Sequence, residues 1–276
     1  MNKQRRDFIN LTFNHPEFEQ EVRERLNIFD RELTVADAML VKELDFTNFD
    51  FKDEDIETLF LFSNLTSLAI NIRQQNAFFW NHFPKLQDLY WCCWGNEIDF
   101  SVFSNMADLT SLMVSGGDYS DIKFNGLEAL IQLSHLEELT LHEFGPVDLA
   151  PLEKMKQLKH FSLLYTDSAQ NIETIGKLNW LESLSLCGIY TDNLDFLDFL
   201  PDHIELELCG IEIYGRKEVD VQKRKRFTKR DICEIMVKDQ WWEYVDLSVL
   251  DNSPQKILTK SKQYTEAPRY PKPLYN

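Results

Sequence analysis

The sequence repeats one apolar pattern, L-x-x-L-x-L, eight times at intervals close to 22 residues. Five copies are clear and three are looser, and they begin at positions 41, 65, 86, 109, 136, 158, 181 and 203. The steps between them are 24, 21, 23, 27, 22, 23 and 22 residues. An ordinary α/β domain would not keep one register over eight copies. The pattern therefore predicts a repeat architecture, in which stacked units share one continuous core.

Each copy of the pattern has the alternation of a β-strand. Side chains of a strand alternate between two faces, so the fourth and sixth positions point the same way, and the first position turns inward with them. Periods of 20–29 residues with this pattern are typical of leucine-rich repeats. We therefore predict an α/β solenoid, a leucine-rich-repeat right-handed superhelix shaped as a horseshoe or arc. Its concave face is a parallel sheet of about eight strands.

The two ends of the solenoid need covers, because terminal strands otherwise expose apolar surface. Residues 1–40 are predicted to form a helical cap, with one helix starting at Pro16 and a second capped by Thr34. Residues 41–212 are the solenoid of about eight repeats. Residues 213–276 are predicted to hold a capping helix that starts at Thr228, followed by an extended tail with several prolines.

Charge is distributed unevenly along the chain. The net charge is −17, made of 15 basic and 37 acidic residues in 1–212 and 14 basic and 9 acidic residues in 213–276. Such an acidic body disfavours nucleic acid as a partner and favours a basic protein, unless the charge only keeps the protein in solution. The basic cluster 223–230 is interpreted as a solvated linker or as a partner of the acidic body, rather than as a nucleic-acid site.

No secretory signal or membrane span is evident in the sequence. The N-terminus lacks an apolar h-region and apolar stretches are only a few residues long, so we expect a cytoplasmic protein without a membrane partner. Five cysteines make a poor disulfide framework. Cys187 and Cys209 occupy the same position in consecutive repeats, and we expect them to be neighbouring free thiols.

One segment near the N-terminus resembles a known family. The run FNHPEFEQEVRERL, followed by LTVAD and VKELDF, is similar to the capping segment of bacterial internalin-type leucine-rich-repeat proteins, and VDLAPLEKMKQL is similar to their linker. The resemblance covers roughly residues 13–211. It implies the fold and a binding role without specifying a partner. The chain shows no export signal, although the family is usually secreted or surface-attached.

The chain also departs from that family at one repeat position. The family's asparagine, three residues after the last leucine, is replaced in all eight repeats. We therefore expect no asparagine ladder, and we expect convex turns packed by aromatic residues. The residues at that position are Phe49, Arg73, Trp94, Gly117, Phe144, Thr166, Ile189 and Ile211.

No catalytic, cofactor-binding or metal-binding motif stands out. The sequence has no phosphate-binding loop, no G-x-S-x-G elbow and no H-E-x-x-H pair. His142 and His160 are predicted to face the concave side on adjacent strands, but they stand in different columns and lack a third ligand. We expect no enzyme activity, no cofactor and no metal site. An enzyme site confined to the C-terminal 65 residues is the least favoured alternative.

The concave face is the candidate binding site, because the third, fifth and seventh positions of each repeat point out of the core. The third positions are Glu43, Ser67, Asp88, Ser111, Glu138, His160, Ser183 and Glu205. The fifth are Asp45, Ala69, Tyr90, Met113, Thr140, Ser162, Ser185 and Glu207. The seventh are Thr47, Asn71, Cys92, Ser115, His142, Leu164, Cys187 and Cys209. None of these positions holds lysine or arginine, while Trp91 falls on an inward position and should lie in the core.

We expect partner contacts from fifteen of these residues, with small side chains in the middle and carboxylates at both ends. They are Glu43, Asp45, Asp88, Tyr90, Met113, Glu138, Thr140, His142, His160, Ser162, Leu164, Ser183, Ser185, Glu205 and Glu207. The sequence thus predicts a non-enzymatic module that binds a basic protein. It could be an immunity or inhibitor protein that neutralises a basic toxin or enzyme. The alternatives are a general adaptor or host-directed effector with several partners, or a surface with no binding role.

Overall fold

The computed structural model describes residues 9–48, 51, 53–73, 76–94, 97–116, 123–166, 169–191, 195–201, 203–209, 212–213 and 245–246. The chain divides into two compact units. Unit 1 comprises Met1–Gly117 and Phe124–Glu138, and unit 2 comprises Asp118–Lys123 and Leu139–Asn276. Each unit carries four of the eight repeat strands, and neighbouring repeat strands pair in parallel.

Unit 1 contains four parallel repeat strands in the order β1-β2-β3-β5. Its strands are β1 (Glu43–Asp45), β2 (Ser67–Arg73), β3 (Asp88–Trp94), β4 (Glu97–Asp99) and β5 (Ser111–Ser115). Its α-helices are α1 (Pro16–Leu26), α2 (Val35–Ala38), α3 (Ile56–Leu59) and α4 (Ala77–Trp80). Short 3-10 helices span Asp53–Asp55, Phe100–Phe103 and Leu127–Gln132, and β6 (Lys123–Asn125) precedes the last of them.

Unit 2 continues from Leu139 with the repeat strands in the order β7-β9-β11-β13. They are β7 (Glu138–Phe144, whose first residue belongs to unit 1), β9 (His160–Thr166), β11 (Ser183–Cys187) and β13 (Glu205–Cys209). The return segments hold the short strands β8 (Val147–Asp148), β10 (Ala169–Gln170), β12 (Tyr190–Thr191) and β14 (Glu212–Ile213). The 3-10 helices span Ala150–Lys154, Ile172–Lys177 and Asp195–Phe199. Strand β15 (Val245–Asp246) pairs antiparallel with β13.

The predicted leucine-rich-repeat fold is confirmed, and its register follows the sequence pattern. Each of the eight repeat strands starts at the third position of its L-x-x-L-x-L copy. The first, fourth and sixth positions are buried wherever their side chains are described, apart from the exposed His203 that opens the last copy. Alternation within the strand therefore sets which residues build the core and which face outward.

The core of unit 1 is rich in aromatic side chains, as expected from the missing asparagines. Trp91 is fully buried, and its indole N–H donates to the Ile72 carbonyl at 3.1 Å. The ring packs edge-on against Trp80 at 5.4 Å and Phe103 at 5.7 Å between centroids. Both of those aromatic residues come from return segments. The prediction that Trp91 lies in the core is confirmed.

The return segments of unit 2 are joined by contacts between carboxylate and amide side chains. Asp148 accepts a hydrogen bond at 2.9 Å from the N–H of Ala150, the first residue of the following 3-10 helix. The same carboxylate oxygen accepts from Asn171 of the next repeat at 2.7 Å. Asn171 has a positive φ of 55°, a conformation that asparagine tolerates better than most residues. Consecutive repeats are thus joined by a polar contact that the repeat pattern did not predict.

The N-terminal helix α1 matches the prediction at its start and on its buried face. Pro16 opens it, Phe18 and Val22 are buried, and Asn27 ends it in the left-handed conformation with a φ of 54°. Phe29 lies beyond the helix and is 63% exposed. The cause is the left-handed turn at Asn27, which takes the chain away from the core.

Helix α2 is shorter than expected but carries a well-formed N-terminus. Asp37, in the first turn, accepts hydrogen bonds from both the backbone N–H and the hydroxyl of Thr34 at 2.8 Å. Arg31 donates to the two oxygens of the same carboxylate, at 2.8 and 2.7 Å. The Arg31 hydrogen bond, aided by those from Thr34, holds the pKa of Asp37 well below its usual range.

Replacing Asp37 with alanine is expected to lower the free energy of unfolding by about 1–2 kcal/mol at pH 7, because the cap at Thr34 is lost. The pKa of Asp37 is lower in the folded than in the unfolded chain. Its stabilising effect is therefore complete above the unfolded value of about 3.9 and is lost as the pH falls below it. Urea unfolding at several pH values should show the difference between wild type and variant shrinking below pH ~4. The neighbouring exposed Asp30→Ala should show no such difference.

Several predictions concern residues outside the described part of the chain. The capping helix from Thr228 and the basic cluster 223–230 lie there, and the boundaries at 40/41 and 212/213 stay predictions. None of the helices in the described part has the length or hydrophobicity of a membrane-spanning helix.

The expectation of free thiols in the last repeats is wrong for Cys187. This residue is disulfide-bonded. In the parallel pairing of β11 with β13, its Cα partner is Cys209. The shared column position that placed the two cysteines side by side in the sequence is the same geometry that permits a bridge. Cys92 and the buried Cys93 are both in the reduced form.

Candidate functional site

The candidate site is the face formed by the third and fifth positions of the repeat strands, called here the strand face. Side chains at these positions are half-buried or exposed along both units. The seventh position was predicted to belong to it, and this is wrong for three strands. Ser115, Leu164 and Cys187 are buried, with 2%, 8% and 5% exposure. Leu164 is therefore removed from the predicted partner contacts.

The third-position row of unit 1 brings several carboxylates onto neighbouring strands. Backbone pairing aligns Glu43, Ser67, Asp88 and Ser111 across β1, β2, β3 and β5. The hydroxyl of Ser111 donates to the Glu138 carboxylate at 3.2 Å, which extends the row by one residue. Glu43, Asp88 and Glu138 are exposed at the surface. Unit 1 therefore carries an acidic row at the third positions of its strands, in addition to the carboxylates expected at the ends of the face.

The middle carboxylate of that row is electrostatically unfavourable. The side chain of Asp88 is exposed, but partial desolvation by the surrounding protein raises its pKa, and repulsion from Glu138 and then Glu43 raises it further. Within the described part of the chain, neither Asp88 nor Glu138 forms an ion pair. Repulsion between the Asp88 and Glu138 carboxylates therefore disfavours their charged forms unless a cation lies beside them. A positively charged group bound at this row would relieve that repulsion.

The fifth-position row of unit 1 is the apolar neighbour of the acidic row. Pairing aligns Asp45, Ala69, Tyr90 and Met113, and the last two are half-buried. Asp45 accepts from the backbone N–H of Thr47 at 2.9 Å and from its hydroxyl at 2.6 Å. Its carboxylate is thus engaged in a local turn. Tyr90 and Met113 give this patch the apolar surface that protein interfaces use at their centres.

One basic residue reaches the strand face that the sequence columns did not include. Arg25, near the end of α1, lies 3.5 Å from the Glu43 carboxylate and 2.8 Å from that of Glu21. The hydrogen bond to Glu21 raises the pKa of Arg25. The acidic row is therefore neutralised at its first member, and its unpaired charge lies at Asp88 and Glu138. The i, i+4 spacing of Glu21 and Arg25 was visible in the sequence, whereas the contact with Glu43 depends on tertiary packing.

Unit 2 carries a more polar strand face. His160 and Ser183, paired across β9 and β11, are joined by a 2.8 Å hydrogen bond between Nδ1 and the hydroxyl. Ser185 donates to the Glu207 carboxylate at 2.8 Å, again between paired positions. Glu205 is exposed, and the remaining predicted contacts are half-buried. These residues are Thr140, His142 and Ser162.

The His160–Ser183 pair does not have the geometry of an acyl-transfer site. A catalytic triad needs a third group that orients the histidine ring through its other nitrogen. Among the described residues, no carboxylate is hydrogen-bonded to His160. The arrangement can bind a polar group.

Tyr165 is a surface feature that sequence reasoning missed. It follows Leu164 at the end of β9, has a φ of 53° and is 46% exposed. Its ring meets the half-buried His142 ring edge-on, with centroids 5.6 Å apart. Burial lowers the pKa of His142 to about 4, so that ring is neutral at physiological pH. The sequence contained one indication of this feature, because Tyr165 occupies the repeat position that is glycine in three other copies, at Gly116, Gly188 and Gly210.

Comparison with known proteins supports the fold. No family profile and no curated protein sequence matches the chain. Internalin C2 of Listeria monocytogenes has a similar structure over 73% of this chain and 86% of its own, with a TM-score of 0.55 at 16% identity. Internalin F of the same bacterium is similar over 73% of this chain and 58% of its own, with a TM-score of 0.44 at 19% identity. A leucine-rich-repeat protein of Leptospira interrogans is similar over 64% of this chain and 46% of its own, with a TM-score of 0.46 at 16% identity. The chain is a leucine-rich-repeat protein whose fold is similar to that of a Listeria internalin.

Proposed function

We propose that this protein binds a basic protein partner through the strand face of unit 1. Leucine-rich-repeat proteins typically act by binding other proteins and are generally not catalysts. The observation that supports a basic partner is the pair Asp88 and Glu138, which form no ion pair within the described residues and of which Glu138 raises the pKa of Asp88. A lysine or arginine from the partner would take the place of the missing cation.

The neighbouring apolar residues support the same proposal. Tyr90 and Met113 lie one row from the carboxylates, half-buried on adjacent strands. Interfaces commonly surround such apolar anchors with charged residues, which guide the encounter and fix its orientation. The body of the chain, residues 1–212, carries 37 acidic and 15 basic residues, so its net charge of −22 would attract a basic protein over a longer range.

The finer form of the proposal is an inhibitor or immunity protein that neutralises a basic toxin or enzyme in the cytoplasm. This form of the proposal is based on the net negative charge of the protein and on a fold that commonly binds proteins. It predicts one dominant partner bound in a 1:1 complex. The alternative, an adaptor or host-directed effector, predicts several partners of modest affinity. Counting the stoichiometric partners of the purified protein distinguishes the two, and cell fractionation tests the location.

The proposal is tested by neutralising the two unpaired carboxylates. The variant Asp88→Asn with Glu138→Gln should bind the partner about tenfold more weakly at low salt, since two charge contacts are lost. The matched control is Asp108→Asn with Glu128→Gln, which removes two exposed carboxylates of the same unit away from the strand face. Affinities would be measured by calorimetry at low and moderate salt.

The salt dependence decides the mechanism. Wild-type affinity should fall as ionic strength rises, and the strand-face variant should show a weaker dependence. Equal losses in the strand-face variant and the control would mean that only overall charge matters. Binding unaffected by either variant would exclude the strand face of unit 1 as the docking surface.

A further inference from the structure

The strands of unit 2 share an unusual backbone feature at their ends. Glu143, Tyr165 and Gly188, at the same repeat position in β7, β9 and the turn after β11, all have positive φ values of 57°, 53° and 60°. Glycine adopts this conformation freely, whereas other L-residues are destabilised there by about 1 kcal/mol or more. The tyrosine therefore occupies a position where glycine would be favoured on backbone grounds.

The Tyr165 ring is held in one place by its surroundings. A methyl group added to Gly188 would lie 2.5 Å from a ring carbon of Tyr165, so the ring rests directly on the glycine backbone. The His142 ring contacts it edge-on from the neighbouring strand. Although it is supported on these two sides, the tyrosine side chain remains 46% exposed. The result is an aromatic face that is fixed in position and open to solvent.

We propose that Tyr165 is an aromatic anchor that stacks an arginine side chain of the protein partner. This inference rests on the proposed function and extends it to unit 2. Glu143, on the neighbouring strand β7, places its carboxylate 3.6 Å from Nδ1 of the His142 ring that contacts Tyr165, and the third, fifth and seventh positions of this unit's strands contain no lysine or arginine. A planar guanidinium binds an aromatic face and hydrogen-bonds to carboxylates, which lysine and anionic groups do less well.

A merely structural role for the ring makes a different prediction. If Tyr165 served the fold alone, replacing it should destabilise the protein. Because the backbone there is left-handed, Tyr165→Asn should relieve part of the strain and leave the melting temperature unchanged or higher. A large decrease in melting temperature would indicate that the ring is needed for packing, and the anchor proposal would then be wrong.

Binding is tested with a fluorescein-labelled hexa-arginine peptide by fluorescence anisotropy at low salt. Tyr165→Leu should weaken binding roughly three- to thirtyfold, whereas Tyr165→Phe should bind like wild type, because the ring face is kept. Phe199→Leu is the matched control, since Phe199 is 73% exposed in the same unit and lies in a 3-10 helix. Equal affinity for wild type and both Tyr165 variants would overturn the proposal.

The same peptide separates this inference from the proposed function. If Asp88→Asn with Glu138→Gln loses peptide binding and Tyr165→Leu does not, binding through the strand face of unit 1 is supported. The proposal that Tyr165 is an aromatic anchor is then wrong. The opposite result supports the anchor and removes the unit 1 patch. Analytical ultracentrifugation provides the last check: a dimer that is abolished by Tyr165→Leu would make a second copy of the chain the occupant and would overturn the arginine assignment.

Discussion

Replacing Trp91 with alanine is expected to lower the free energy of unfolding by about 3–5 kcal/mol, the usual range for removing a buried tryptophan. The indole is fully buried, packs against Trp80 and Phe103, and donates to the Ile72 carbonyl. The substitution would leave a cavity and also a buried carbonyl without its donor. Chemical denaturation followed by circular dichroism measures the change.

The matched control for this prediction is Trp91→Phe. Phenylalanine keeps much of the ring volume and the aromatic packing but removes the hydrogen bond, so the loss should be about 1–2 kcal/mol. Circular dichroism of the folded variants should match wild type, which shows that the repeat structure persists. A loss below about 1 kcal/mol for Trp91→Ala would mean that the aromatic cluster of unit 1 is not a close-packed core.

Much of the fold could be predicted because strand alternation and repeat period are local properties. The third position of each copy starts a strand, and the inward leucines are buried, as the pattern required. The return segments could not be predicted in detail. Their short helices are set by packing, with Trp80 and Phe103 filling unit 1 and the Asp148–Asn171 contact holding unit 2. No periodic pattern specifies such contacts.

The strand face was predictable in part for the same reason. Alternation placed Asp88 and Tyr90 outward on β3, and the structure agrees. It failed at Leu164 because β9 ends in a left-handed turn at Tyr165, which a strand pattern does not report. The contact between Arg25 and Glu43 could not be predicted, because it joins a helix to a strand through tertiary packing. The sequence placed Cys187 correctly beside the next repeat's cysteine. The assumption of a reduced thiol was wrong, because Cys187 is disulfide-bonded.

Replacing Gly188 with alanine is expected to lower the free energy of unfolding by roughly 2–4 kcal/mol. One part comes from the backbone, since a φ of 60° disfavours alanine. The other comes from overlap, because the new methyl would lie 2.5 Å from the Tyr165 ring and would force it to move. Urea unfolding of the variant measures the sum of the two effects.

A double-mutant cycle with Tyr165→Ala separates the two effects. In that background the methyl meets no ring, so Gly188→Ala should cost only about 1 kcal/mol, the backbone part. The difference between the two costs is the coupling between residue 188 and the Tyr165 ring. An equal cost in both backgrounds would show that the ring moves aside freely. Tyr165 would then lack the fixed position that an aromatic anchor requires, so this measurement bears on binding as well as on stability.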